Sequence, residues 1–332
     1  MTQTISRESH VSQSTAESDS DSEVPNVAAA ISSGRSGRFG DRLFAGVSLG
    51  AGILILLVLA GVALFLVRDS IPAITATPEE LGRENGFVGY VAPLVIGTLV
   101  ASAIALIVAT PVAIGVALYI SHYAPRRIAQ PVGYVIDLLA AIPSVIFGLW
   151  GIQWLMPLIH PVFAWLSTNL GFIPLFSDYQ APARNIMTAG LVLAVMIVPI
   201  ITATIREVFL QTPRLHEEAS LALGATRWEM IRLAVLPFGK SGIVGGAMLG
   251  LGRALGETMA VAMILSPALA ISFNLLQSGN QTIAAHIALQ YPEATGYKVS
   301  ALIAAGLVLF AITLAVNMGA RYVVARGNKE SA

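Results

Sequence analysis

Six long apolar stretches constrain this chain more than any other feature. They fall at about residues 43–67, 91–120, 132–157, 185–205, 242–266 and 299–322. A bilayer core about 30 Å thick takes roughly 20 apolar residues in a helix to cross. Inside lipid the backbone must satisfy its own hydrogen bonds, so stretches of this kind become helices. Composition agrees, since 55% of the 332 residues are hydrophobic and only 11% are charged, where soluble domains carry about 25% charged residues. So few charges cannot cover a water-facing surface. The fold class predicted is an all-α membrane protein of about six transmembrane helices.

Residues 158–176 are apolar enough to suggest a seventh span, but Pro161, Gly171 and Pro174 interrupt them. Charge placement decides. With six spans and a cytoplasmic N-terminus, fourteen Lys and Arg residues fall inside and four outside (Arg68, Arg83, Arg184 and Lys298), while Arg253 lies within a span. That bias is the one the positive-inside rule asks for. A seventh helix would put the basic loop 206–241 outside. Six spans with both ends cytoplasmic, in the inner membrane of a prokaryote, is the reading adopted.

Residues 1–42 hold ten serines and few large apolar side chains, the composition of a disordered polar tail. The first apolar run starts too far in for a cleaved signal peptide. The membrane domain is then 43–325, with a short cytoplasmic tail at 326–332. Net charge is zero and cysteine is absent. That excludes disulfides and thiolate metal sites, and no nucleic-acid partner is expected. The histidines His10, His122, His160, His216 and His286 are scattered without ligand spacing, so no metal site is predicted.

The loop 206–241 reads REVFLQTPRLHEEASLALGATRWEMIRLAVLPFGKS. Leu215, Ala219 and Ala222 recur at helical spacing before Gly224, and a second amphipathic stretch runs from Arg227 until Pro237 ends it. Two short helices joined at a glycine form a compact knob, and a tight turn at Gly224 calls for positive φ. Within it, Ala234–Ser241 (AVLPFGKS) nearly matches the phosphate-loop pattern. A phosphate loop needs a strand before it, and here an amphipathic helix precedes it. No nucleotide site is predicted in the chain.

The fifth span carries Arg253 and Glu257, four residues apart and so on one face of a continuous helix. Charges at mid-bilayer cost about 2.5–3.5 kcal/mol each on insertion scales and belong against a bundle interior or a water-filled path. The guanidinium fork suits an oxyanion. Arg253 is therefore the candidate anion contact, Glu257 its partner, mask or gate, and Thr258 a further hydroxyl. Gly242, Gly246 and Gly250 allow close helix packing, compatible with a counterpart in a second subunit. Asp137, near the inner end of the third span, reads as an interfacial acid.

Glu218-Ala219-Ser220, Gly224 and Leu236-Pro237 resemble the EAA loop of ABC-importer permeases, with Ser220 and Ala234 replacing the usual alanine and isoleucine. The strings LGLGRALGETMAV (249–261) and LLAAIPSVIFGLWG (138–151) resemble the PstC-type permeases of phosphate-specific ABC importers. The resemblance runs from about residue 43 to 325. It implies the type I importer permease fold, with Glu218, Ala219 and Gly224 coupling the chain to an ATPase. It also implies a second, PstA-type permease, an ATPase dimer that binds the ATP, and an external phosphate-binding protein. Arg253 alone does not separate phosphate from sulfate or molybdate. An ion-gradient-driven transporter is the alternative of another class, though no internal repeat of the kind such folds show is visible.

Overall fold

The computed structural model describes residues 35–82, 84–268, 272 and 274–329. Nearly all of the expected polar tail, with Arg7 and His10, lies outside them, as do Arg83 and residues 330–332. Where the tail was drawn to residue 42, helix already starts at Arg35. Ten helices carry the fold among the described residues. They are α1 Arg35–Thr75, α2 Gly86–Tyr123, α3 Arg126–Ala140, α4 Ser144–Leu170 and α5 Ile186–Leu210. Next come α6 Arg214–Ala222, α7 Arg227–Leu255, α8 Met259–Ile264, α9 Ile283–Gln290 and α10 Tyr297–Lys329. Six of them, α1, α2, α4, α5, α7 and α10, are long and apolar enough to cross a membrane. The chain divides into two compact units, residues 1–61 and 62–332. The helix bundle from α2 to α10 belongs to the second.

The third span is displaced from its expected place at 132–157. Residues 126–140 form a separate helix, Pro143 interrupts the chain at the N-cap of the next, and the crossing helix runs on to Leu170. Two prolines that read as breakers, Pro161 and Pro237, thus lie within helix. For Pro237 the reason is a local device used three times. Wide π turns occupy Tyr119–Tyr123, Gly151–Leu155 and Ile231–Val235, each ending two residues before a proline: Pro125, Pro157 and Pro237. The N–H groups of Ala124, Met156 and Leu236 donate to carbonyls five residues back. A proline lacks an N–H and crowds the carbonyl four back, and a π turn moves that carbonyl aside. At Pro125 the chain leaves the helix through an extended Ala124, the usual bias of a residue before proline. At Pro157 and Pro237 the helix continues.

The core is built around α5. Leu193, Met196, Ile197, Ile201, Ile205 and Phe209 are fully buried there. Apolar side chains gain little by leaving lipid, so close packing must hold such helices together. Small residues supply it on both flanks. On α2 the stripe Gly97, Ala101, Ala105, Ala109, Ala113 and Ala117 repeats every fourth residue and is buried throughout. On α7 Gly239, Gly242, Gly246 and Gly250 lie against α5, where a Cβ would meet Phe209, Val208, Ile205 and Ile201 in turn. The glycine face of the fifth span is therefore filled by a helix of the same chain, not by a second subunit.

At the end of the bundle opposite α6, two connections are tied to the helices. A Cβ at Gly97 would strike the Gln281 carbonyl, and the Thr98 hydroxyl accepts from Ile283 N at 3.0 Å. Asn185 caps α5 by accepting from Thr188 N and donates from Nδ2 to Leu276 O. Asn274 Nδ2 donates to both Ser177 oxygens. His286 sits between Gln281 Oε1 and Tyr90 Oη, 2.8 Å from each. Within the polar stretch 267–298, Asn274, Asn280, Gln281 and His286 are thus interior, with each buried amide partnered as burial demands.

Candidate functional site

Two places in the second unit combine an interrupted helix with charge. The first is the α6 hairpin. Pro213 starts α6, and Leu223 ends it, its N–H bonding back to Ala219 O. Gly224 then takes φ +88°, a conformation that costs a residue with a side chain roughly 1–2 kcal/mol. α7 opens with a capping box, in which Thr226 Oγ1 accepts from Glu229 N and Glu229 Oε2 accepts from Thr226 N at 2.8 Å. The second amphipathic stretch of the loop is therefore the first two turns of α7 and not a separate short helix. Segment Ala234–Ser241 is helical throughout, so it forms no loop around a phosphate.

Glu218, Ala219 and Gly224 are exposed. So are large apolar side chains beside them: Leu223 is 90% exposed, Leu215 75% and Trp228 56%. A cluster of that kind on a polar loop is an exposed apolar patch of the sort found at interaction surfaces. The hairpin is also anchored. Its inward side contributes Thr212, Met230 and Ile231 to the interior. Glu217 Oε1 lies 3.5 Å from His122 Nε2 in the π turn of α2, while His122 Nδ1 bonds Ser121 Oγ at 2.7 Å. Sequence reasoning passed over His122. Its only signal was a histidine beside a serine just ahead of a proline.

The second place is the end of α7. Residues 242–266 were expected as one helix, but α7 stops at Leu255, Gly256 adopts φ −93° and ψ 0°, and α8 starts at Met259. Depth follows from packing against α5. Gly239 meets Phe209, Gly246 meets Ile205, and Gly250 meets Ile201 and Ile197. One turn further, Arg253 lies level with the middle of Ile186–Leu210. The break thus lies level with the middle of the bundle, with Glu257 buried and Gly256 exposed. Irregular backbone at that depth occurs only where protein buries it or where it lines a cavity.

The break also separates the two charges. Glu257 is 8% exposed, and its Oε1 accepts from Ala260 N at 3.1 Å, capping α8. Thr258 Oγ1 donates to Gly256 O. Arg253 stays in the last turn of α7, where a cation complements the carbonyl end of the helix, and its buried Nε has no hydrogen-bond partner. Among the described residues the close contacts between basic and acidic side chains are Arg206–Asp137 and, as an ion pair only with a protonated imidazole, His122–Glu217. Arg253 and Glu257 accordingly do not share a helix face, and Glu257 does not mask Arg253. α4 packs on this region through Gly148, where a Cβ would touch Ala260 Cα.

Residues 109–328 match the family described as binding-protein-dependent transport system inner membrane component. Over 299 residues the chain is 44% identical to the phosphate transport system permease protein PstC 2 of Mycobacterium bovis, covering 86% of this chain and 92% of that protein. A solved bacterial ABC transporter involved in the import of the acidic polysaccharide alginate shares the fold, with a TM-score of 0.61 at 16% identity over 88% of this chain and 98% of that one. So does the inward-facing MetNI methionine ABC transporter, at a TM-score of 0.51 and 16% identity over 72% of this chain and 96% of that one.

Proposed function

This chain belongs to the family of binding-protein-dependent transport system inner membrane components, and on that premise we propose that it is the permease subunit of an ATP-driven importer of inorganic phosphate. The observation that carries the cargo assignment is the 44% identity to a phosphate permease over nearly its whole length. Both termini face the cytoplasm in this reading, and an external binding protein delivers phosphate at the face opposite α6. A second, PstA-type permease completes the path.

Energy enters at the α6 hairpin. Exposed Leu215, Leu223 and Trp228 seat the hairpin in a groove of a separate ATPase dimer, which binds the ATP. Glu218 and Ala219 lie on the docking helix, and Gly224 sets the turn behind it. At mid-membrane Arg253 is the cargo contact. Its unpartnered Nε is a donor that a phosphate oxygen completes, and a buried donor left unmet costs about 1–3 kcal/mol. Glu257 holds the break open by capping α8, and Thr258 offers a hydroxyl beside it.

The test is purification of the tagged chain in mild detergent, with identification of the proteins that accompany it. The expected result is an ATPase and a second permease. A chain that purifies alone overturns the reading. Uptake of labelled phosphate should be competed by unlabelled phosphate and not by sulfate or molybdate. Competition by either of those reassigns the cargo, and uptake that survives ATP depletion but collapses with the proton gradient reassigns the class.

A further inference from the structure

A groove of about 390 Å³ lies between α3 and the ends of α2 and α5, on the α6 side of the bundle. Its floor is one stripe of α3. Arg126, Gln130, Gly133, Tyr134 and Asp137 all line it, at the three- and four-residue steps that share a helix face. Arg206 of α5 forms the opposite wall.

Arg206 lies directly on α3. A Cβ at Gly133 would meet its Nη1, so the guanidinium rests against the helix backbone at that glycine. The Arg206 side chain is 19% exposed, and its one ion pair, from Nη2 to Asp137 Oδ2, is 3.5 Å long. Charge-assisted bonds run at about 2.7–2.9 Å, so this pair leaves most of the five guanidinium donors available. Arg126 faces the same space from the start of α3, and Gln130 and Tyr134 add neutral donors. The balance of the groove is one positive charge.

Its surroundings suit a headgroup. Ile120, Ala129 and Leu210 give apolar walls, and α3 exposes Ile128, Val135 and Leu138 along with Tyr134. An amphipathic helix with apolar side chains exposed, a tyrosine among them, lies at the membrane interface. Basic pockets between membrane helices on the cytoplasmic side take up phosphate-bearing lipid headgroups. We infer that this groove binds a phosphate group, held between Arg206 and Arg126, with an anionic phospholipid as the favoured source. The inference rests on the orientation proposed above only in assigning the groove to the inner leaflet.

The experiment is native mass spectrometry of the purified complex, titrated with phosphatidylglycerol, phosphatidylcholine or inorganic phosphate. No transport is involved, so a failure of the cargo assignment leaves the result readable. Phosphatidylglycerol should be retained in preference to phosphatidylcholine. Arg206→Gln and Arg126→Gln should each weaken it about tenfold, the scale of one charge-assisted contact. Asp137→Asn, which removes the competing carboxylate, should tighten it several-fold. That gain cannot come from misfolding, so it decides the matter should Arg206→Gln fail to insert. Retention unaffected by millimolar phosphate identifies lipid as the source. Displacement by phosphate, lost in the same variants, identifies the free ion in the same site. Equal binding of both ligands by wild type and the Arg126→Gln/Arg206→Gln double variant, or no tightening in Asp137→Asn, overturns the inference.

Discussion

The hairpin at Gly224 and the break at Gly256 use related parts in opposite settings. Each places a glycine where one helix ends, and each has a carboxylate capping the next helix: Glu229 through Thr226 in one, Glu257 on Ala260 N in the other. At the surface the hairpin's polar groups have water as an alternative partner, and the glycine is needed for its positive φ. At the depth of the break lipid offers no such alternative. A freed amide there must be met by a side chain, so Glu257 is buried and structural together. The lesson is that the mid-membrane break is the costlier element to maintain, while the surface hairpin depends on its backbone shape and on what docks against it.

The sharpest way to break this contrast is to reverse the charge on the hairpin. Glu218→Lys leaves the fold of an exposed helix untouched, and we expect uptake to fall by about two orders of magnitude or more, the effect of a like-for-opposite swap at a charged docking surface. The chain should still insert, and the ATPase should no longer co-purify. Normal uptake by this variant removes the hairpin from the coupling role. Arg253→Gln should act almost as strongly by another route. Loss of one buried charge-assisted contact costs about 1.5–3 kcal/mol, roughly 10- to 150-fold in uptake, with the complex keeping its composition. If Arg253→Gln instead dissociates the complex, the guanidinium is a packing element and not a cargo contact.

Glu257→Ala probes the cap directly. Loss of an N-terminal cap costs about 0.5–2 kcal/mol, so we expect uptake to drop by about two- to thirtyfold, with Glu257→Gln falling between wild type and alanine because the amide oxygen still accepts from Ala260 N. Equal loss in the two variants would mean that the charge acts on cargo and the cap is incidental.

How much of the molecule was legible in the sequence depends on the range of each interaction. The hairpin was readable because its signals are local: Glu218, Gly224 and Leu236-Pro237 at fixed spacing, and helical periodicity on either side. Its second half was misread because Pro237 looked like a stop, and nothing in composition reveals that a π turn can shelter a proline. The same blindness shifted the third span, where Pro161 hid a helix that continues to Leu170. The break at Gly256 escaped for a different reason. Hydropathy averages over about twenty residues, and a three-residue interruption between apolar segments leaves the average unchanged. Arg253 and Glu257 stand out in the sequence as charges inside a span. Their relation was misjudged, because a shared helix face holds only while the helix is unbroken. Gly97 and Asn185 carry no local signal at all, since the Gln281 and Leu276 carbonyls they meet come from far along the chain.

The smallest expected effect is also the most discriminating between the two glycines. Gly256 has φ −93°, which any residue adopts, and a Cβ there would meet only the Gly252 carbonyl at 3.7 Å, an ordinary contact. Gly224 has open space around it but φ +88°. Gly224→Ala should therefore weaken ATPase co-purification by roughly five- to thirtyfold through backbone strain of about 1–2 kcal/mol, whereas Gly256→Ala should leave uptake within about fivefold of wild type, as alanine favours helix over glycine by only about 1 kcal/mol. Paired measurements of uptake and complex yield decide it. A large loss in Gly256→Ala would mean that the break must flex during transport, through a φ that glycine alone can reach, and the mid-membrane element would then be a hinge and not a fixed interruption.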